Sequence, residues 1–496
     1  MQFTSFQFMV FFPAVVLLFY IMPKKLRQLW LLLASYYFYM GWNAKYVILI
    51  FASTGITYFC AVFMQRIDQD DTKKRRAVLI AGLVLNLGLL VFFKYFYFLH
   101  DTIAAILSVF GVKIGASRLD ILLPVGISFY TFQALGYLID VYRKDVEVEK
   151  NFIRYALFVS FFPQLVAGPI ERSGHLIGQL EKISQEKSWN FDKITRGLLL
   201  ILWGFFMKMV IADRAAVLVN QVFGIYYMFN GLALTFAIVL FAVQIYCDFA
   251  SYSVIATGAA KILGIELMAN FEAPFFSRSI SEFWRRWHVS LSSWFRDYLY
   301  IPLGGSWCSK PRKYFNNMVT FIVSGLWHGA SWHYVIWGAI QGIYIVIGDL
   351  LRPFKKWFTS FFHVRVKTFG YQFFQGLCTF GLFVLSLVFF RADTVKDALY
   401  YLYRIFTTFD IWSLFNESIY VLGLEKKEMS ILWVGILILL FVDAYYAKKQ
   451  AFFDTLVKGQ CLAVQYVIVA VLLVMVIVFG VYGEGYDATQ FIYFQF

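Results

Sequence analysis

Met1–Arg27 reads MQFTSFQFMVFFPAVVLLFYIMPKKLR. Residues 1–22 carry no charge, and Lys24, Lys25 and Arg27 follow at once. A run of about 20 mostly apolar residues is what one membrane crossing requires. A cleaved secretory leader would place its basic residues before the apolar run and a small-residue site after it. Here that order is reversed, so the segment reads as a retained first span with its N-terminus outside.

The rest of the chain repeats the pattern. Of 496 residues, 60% are hydrophobic and 15% charged, with a mean hydropathy of +0.67. Soluble domains carry about 45–50% apolar and about 25% charged residues. This excludes an ordinary soluble enzyme, a disordered chain and a disulfide-stapled secreted domain. Further apolar stretches lie near 28–42, 46–64, 77–99, 121–141, 198–212, 229–249, 318–348, 371–390, 430–446 and 462–482. The stretch 318–348 is long enough for a hairpin broken around Gly329–Ser331. The expected fold class is therefore an all-α polytopic membrane protein of about 10–12 transmembrane helices. Residues 152–170 are interrupted by Pro163, Gly168 and Pro169. Broken backbone at membrane depth is tolerated only inside protein or beside a wet cavity, so a re-entrant segment is expected there. With no internal repeat and no long linker, residues 1–496 read as one integral-membrane domain.

Lys and Arg number 44 against 30 Asp and Glu, a net charge of +14. In a membrane protein this surplus belongs to cytoplasmic loops rather than to nucleic acid. Arg66–Arg76 and Arg143–Arg154 are basic loops that alternate with nearly uncharged ones. The partners expected from composition are membrane lipids. Cys60, Cys247, Cys308, Cys378 and Cys461 are scattered without metal-ligand or disulfide spacing, so no metal is expected.

Residues 277–315 are unlike a span. Placed on one continuous helix, SISEFWRRWHVSLSSWFR (Ser279–Arg296) gathers Ile280, Trp284, Trp287, Leu291 and Phe295 on one face. Glu282, Arg285, Arg286, Ser293 and Arg296 collect on the other. Such a helix lies along the membrane interface or wedges into the protein. His288 projects within the apolar face, which suits a packed, carbonyl-bonded histidine as well as a functional one. A Pro/Gly turn follows Asp297-Tyr-Leu-Tyr, and Lys310, Arg312 and Lys313 suggest a cytoplasmic loop.

Residues 316–348 hold the second notable histidine. Asn316–Gly329 reads NNMVTFIVSGLWHG, with His328 at the end of an apolar run and Ser324 and Gly325 one turn earlier. Gly325 and Gly329 would let a neighbouring helix approach closely. An ionisable residue inside a span is a functional hypothesis by default, set against a helix-bridging role. An imidazole of ordinary pKa near 6.5 suits a base at neutral pH. His328 and His333 are five apart, the wrong spacing for paired metal ligands on a helix. His100, His175, His333 and His363 sit at loop or span ends, where exposure is the plainer account. Asp248, in QIYCDFASYS, is expected to pair with a buried arginine or to orient a histidine.

Five segments carry a family resemblance: PVGISFYTFQALGYLIDVYR (Pro124–Arg143), FFPQLVAGPIER (Phe161–Arg172), FWRRWHVSLSSWFRDYLYIPLGG (Phe283–Gly305), GLWHGASWHYVIWG (Gly325–Gly338) and FIYFQF (Phe491–Phe496). Together they resemble the membrane-bound O-acyltransferase family, specifically its bacterial branch of alginate and peptidoglycan O-acetylation membrane proteins. The teichoic acid D-alanylation protein is similar in the two histidine segments but typically shorter.

The resemblance implies a helix bundle with a central funnel and assigns catalysis to His328 and a second functional role to His288. Trp284, Trp287, Ser324 and Trp327 become candidates for the substrate tunnel, with Asp248, Arg296 and Asp297 as supporting polar groups. It implies no bound cofactor, with acetyl-CoA as acyl-donor substrate at the cytoplasmic face. It also implies a periplasmic SGNH-hydrolase-like acetyltransferase partner, an exported polysaccharide and a place in the bacterial inner membrane. D-alanyl transfer to teichoic acid and a non-enzymatic glycan or lipid exporter stand as alternatives.

Overall fold

The computed structural model describes residues 1–113, 115, 123–184, 189–415, 420, 422–449, 459–482 and 491–492. Among the described residues the regular structure is helical throughout. Residues 121–122 of the expected span at 121–141, and residues 493–496 of the FIYFQF segment, lie outside them.

The chain divides into two compact units, the first made of Met1–Leu198 and Ala256–Met268. It contains α1 (Phe6–Ile21), α2 (Arg27–Met40), α3 (Val47–Arg66), α4 (Thr72–Leu90), α5 (Phe96–Val109), α6 (Ile127–Arg143), α7 (Phe152–Ser160) and α8 (Ser173–Lys182). Helix α6 packs against α3 and α4, and nearly every residue from Ile127 to Val141 is buried. The expected break after residue 160 is real and lies inside protein. Phe161–Ile170 is buried, irregular backbone. Buried polar side chains brace it: Gln133 and Gln164 amides donate to the Phe158 carbonyl in the last turn of α7 at 2.6 and 2.9 Å, and Phe162 N–H of the broken stretch donates to Ser35 Oγ at 3.1 Å. Such internal pairing is what apolar surroundings demand of non-helical backbone. Gly126 starts α6 at φ +76°, and a Cβ there would press on the Leu165 carbonyl, so only glycine fits.

The second unit comprises Leu199–Ile255 and Ala269–Phe496. Along the chain the later helices are α9 (Phe191–Phe205), α10 (Asp213–Gly224), α11 (Gly231–Ile262), α12 (Ile280–Arg286), α13 (Val289–Phe295), α14 (Lys310–His328), α15 (Trp332–Leu350), α16 (Arg352–Phe361), α17 (Phe369–Arg391), α18 (Val395–Thr407), α19 (Lys426–Lys449) and α20 (Leu462–Phe479). The expected hairpin is α14 and α15, which reverse at Gly329–Ser331. The open ends are tied by Lys313 Nζ to Asp349 Oδ2 at 2.8 Å. The helices cross where Gly325 faces Gly338: a Cβ on Gly325 would come within 3.0 Å of the Gly338 Cα and collide with the Tyr334 carbonyl. Backbone cannot retreat as a side chain can. Gly325→Ala should therefore destabilise the fold by about 1–3 kcal/mol, the usual overpacking range. A wild-type thermal midpoint for the detergent-solubilised variant would show that the two helices are not held this closely.

Among the described residues eight helices are long and apolar enough to cross a membrane, and Phe6–Ile21 is a shorter apolar helix. Other helices of the expected 10–12 fall short of that length and hydropathy for two physical reasons. Helices α1, α2 and α6 have 16, 14 and 17 residues, and α14 carries Asn316, Asn317, Thr320 and Ser324, which lower its hydropathy. The molecule is a polytopic, all-helical membrane protein.

Candidate active site

Ser279 caps the start of α12, with Glu282 three residues on reaching back past it. Ser279 Oγ accepts the Glu282 N–H at 3.2 Å, and Glu282 Oε2 accepts the Arg278 N–H at 3.0 Å. The helix lasts two turns, ending where Trp287 N–H donates to the Phe283 carbonyl at 2.8 Å. His288 then adopts φ 45° and ψ 53°, and its carbonyl accepts from Ser292 at 2.9 Å to begin α13. The continuous helix assumed for Ser279–Arg296 is thus two helices with a left-handed residue between them. Neither glycine nor proline causes the break. Asn270–Glu272 is laced to it instead, with Val289 N–H on the Asn270 carbonyl and Glu272 N–H on the Arg286 carbonyl, both at 2.9 Å. A non-glycine residue in this region costs of order 1–3 kcal/mol and persists only where its surroundings dictate it.

The apolar face drawn from sequence is correct in its burial: Ile280, Trp284, Trp287, Leu291 and Phe295 are all buried. Of the two placements considered for this segment, the wedge into protein is the one found, since Trp284 and Trp287 join the unit's hydrophobic core.

The kink brings His288 to His328. Their ring centroids lie 6.5 Å apart at 68°, and the residues are 0% and 4% exposed. His328 ends α14 inside an aromatic cage, with Trp327, Trp337 and Phe390 ring centroids at 5.2, 5.1 and 5.5 Å. Phe249 and Trp327 flank His288 at 4.6 and 5.9 Å. Burial, with His328 beside it, holds the His288 imidazole well below its usual range, so the ring is neutral near pH 7.

A cavity of about 230 Å³ lies in the same unit, with Trp284, Arg285, Val289, Arg296, Tyr300 and Ser324 in its wall, though neither histidine lines it. Along α14 its wall is Asn317, Thr320, Phe321 and Ser324. Those positions form one helix face, and His328 continues it one turn beyond Ser324. The cavity thus follows α14 from Asn317 to Ser324, one turn short of the buried imidazole. Arg285 and Arg296, both exposed, supply positive charge in its wall.

The structure brings together most, not all, of the residues singled out in the sequence. Trp284 and Ser324 line the cavity, Trp327 touches both histidine rings, and Trp287 packs on Phe271 and Phe383 at 5.1 and 5.3 Å. Arg296 lines the cavity and bonds Asp297 at 2.7 Å, within a wide helical turn over Arg296–Tyr300. Asp248 is elsewhere engaged. It pairs with Lys208, which also bridges to Asp213 at 2.7 Å, and it accepts the Ile492 N–H at 2.8 Å. The arginine or histidine expected beside it is a lysine. His333 is not exposed: it is buried and bonds the Phe389 carbonyl through Nδ1 at 3.0 Å. Asn270, Trp337 and Phe390 escaped the sequence reading, because each meets its histidine from a different segment of the chain. Among the described residues no cluster of three or more His, Cys, Asp or Glu could hold a metal ion.

Residues 147–390, which include both histidines, match the family described as MBOAT, membrane-bound O-acyltransferase family. A Pseudomonas aeruginosa protein described as a probable alginate O-acetylase AlgI is 36% identical over 444 residues, covering 89% of this chain and 80% of the relative. This chain belongs to the membrane-bound O-acyltransferase family. A Helicobacter pylori peptidoglycan O-acetyltransferase is 34% identical over 396 residues, covering 75% of this chain and 72% of its own. A Streptococcus thermophilus teichoic acid D-alanyltransferase is 30% identical over 286 residues, covering 53% and 66%. The chain is thus an O-acyltransferase of the MBOAT family, in its alginate and peptidoglycan O-acetylation branch.

Proposed function

We propose that this O-acyltransferase takes an acetyl group from acetyl-CoA at the cytoplasmic face and delivers it across the membrane for O-acetylation of an exported polysaccharide. The observation that carries this reading is the buried histidine pair, 6.5 Å between rings, beside a cavity whose α14 face runs on to His328. Acetyl-CoA has an anionic phosphate end and a thin polar arm. The Arg285 and Arg296 charges suit the first, and the stripe of Asn317, Thr320 and Ser324 suits the second.

The reaction follows from the groups present. The acceptor hydroxyl oxygen attacks the thioester carbonyl carbon as His328, the general base, removes its proton. A C–O bond forms, the C–S bond breaks, and the departing thiolate takes a proton back. His288 holds the partner group beside it. General acid–base assistance of this kind is worth about 10²–10⁴-fold.

The names of the similar proteins favour alginate or peptidoglycan as the polymer class. D-alanyl transfer is less favoured, since the D-alanyltransferase covers only 53% of this chain. We place the chain in the bacterial inner membrane with its N-terminus outside, because Lys310, Arg312 and Lys313 then fall on the cytoplasmic side. A periplasmic SGNH-hydrolase-like acetyltransferase is the partner that would finish delivery.

Labelled acetyl-CoA offered to inside-out vesicles tests the reading. Wild type should transfer label, and His288→Ala should lower the rate about 10²-fold or more. Movement of glycan without any transfer of label would favour the exporter instead.

A further inference from the structure

We propose that Asn270 is a positioning residue for acyl transfer: its amide oxygen fixes His288 as the Nδ1–H form and thereby makes Nε2 the ring nitrogen that receives a hydrogen bond or a proton. The proposal rests on the reading of His288 and His328 as the reacting pair.

Asn270 is 3% exposed, 18 residues before His288, in the stretch laced to the kink. Its orientation is fixed by backbone. Ser290 N–H points at Oδ1 at 3.3 Å, and a main-chain N–H can only donate, so that atom is the oxygen. Ser290 Oγ donates to the same oxygen at 2.9 Å, while Asn270 Nδ2 donates to Ser253 Oγ at 3.1 Å. His288 Nδ1 lies 3.2 Å from this oxygen. An amide oxygen accepts and never donates, so Nδ1 must carry the hydrogen. In a neutral imidazole the lone pair is then on Nε2. The second nitrogen of a histidine is set by what the first one bonds.

The tautomer decides what His288 can do. As a neutral ring it offers an acceptor at Nε2 and cannot donate there, so it does not polarise the thioester carbonyl. The choice of amide over carboxylate matters equally. A carboxylate at this distance would favour the imidazolium and remove the acceptor nitrogen, whereas an amide sets the same tautomer without charge.

The ionisable group whose ring faces His288 is His328 on α14. The flanking Phe249 of α11, Phe271 and Trp327 carry no charge. Asp248 is bound by Lys208, Arg286 pairs with Glu282 at 2.7 Å, and Glu272 is partly exposed.

Asn270→Asp is nearly isosteric and keeps the acceptor for Ser290, so a purely structural role predicts an unchanged pH profile. Our proposal predicts that, for label transfer by the full-length protein in vesicles, the acid limb of the pH–rate profile moves up by about one unit or more. At a pH on the shifted limb the rate falls about ten-fold. Ser253→Ala, which removes the bond bracing the Asn270 amide nitrogen, should slow transfer several-fold with KM for acetyl-CoA unchanged. An active Asn270→Asp protein whose limb coincides with wild type would overturn the proposal. If Asn270→Asp does not accumulate, a wild-type rate for Ser253→Ala across the pH range overturns it. Full activity in His288→Ala would instead overturn the underlying reading of the pair.

Discussion

His328→Ala is expected to abolish O-acetylation of the polymer while leaving the protein in the membrane near wild-type amounts. The imidazole is the ionisable group at the end of the cavity stripe, caged by Trp327, Trp337 and Phe390. Without it the acceptor hydroxyl must lose its proton unaided in surroundings that disfavour charge. Loss of the base alone removes about 10²–10⁴-fold, enough to take acetyl content below detection. Truncation also opens a void in the cage, so His328→Gln, which fills it without a basic nitrogen, separates catalysis from packing. Both variants should be inactive. Polymer acetyl content beside membrane abundance is the measurement, and retained acetylation in either variant would move the chemistry away from this residue.

The second large effect concerns stability rather than chemistry. Lys208→Met should strongly deplete folded protein. Lys208 is buried within a wide helical turn, Phe206–Ala212, and pairs with the buried carboxylates of Asp213 and Asp248. Extra residues in such turns re-aim side chains, and here they carry the ammonium to both acids. Removing one partner of a buried ion pair costs about 3–5 kcal/mol, because the remaining charge cannot be solvated. Against a net stability of about 5–15 kcal/mol that is a severe loss. Adding Asp248→Asn to Lys208→Met should restore part of it. Thermal midpoints of the solubilised proteins check the prediction; an unchanged midpoint for Lys208→Met would mean the triad contributes nothing.

These two cases mark where sequence was informative. The break at Pro163, Gly168 and Pro169, the reversal at Gly329–Ser331 and the buried imidazole of His328 were all legible. Each is announced locally, by a helix breaker or by an ionisable group within an apolar run. The His288 kink was not legible. Its residues suit one amphipathic helix, and the interruption is imposed by Asn270–Glu272, a contact that no periodicity encodes. Lys208 and Asp248 are 40 residues apart on different helices, so the acid could be identified as buried but its partner could not. His333 misled for the same reason: its place at the start of α15 suggested exposure, whereas the Phe389 carbonyl reaches it from α17.

As proposed, one enclosed imidazole, that of His328, is the general base for acyl transfer between two compartments. This is tested most directly by sided vesicles carrying wild type or His328→Gln, with labelled acetyl-CoA supplied at one face at a time. The account predicts consumption of donor only from the face bearing Arg285 and Arg296, appearance of labelled ester on the opposite side, and neither in the variant. Donor use from both faces, ester on the side of supply, or undiminished transfer by His328→Gln would contradict it.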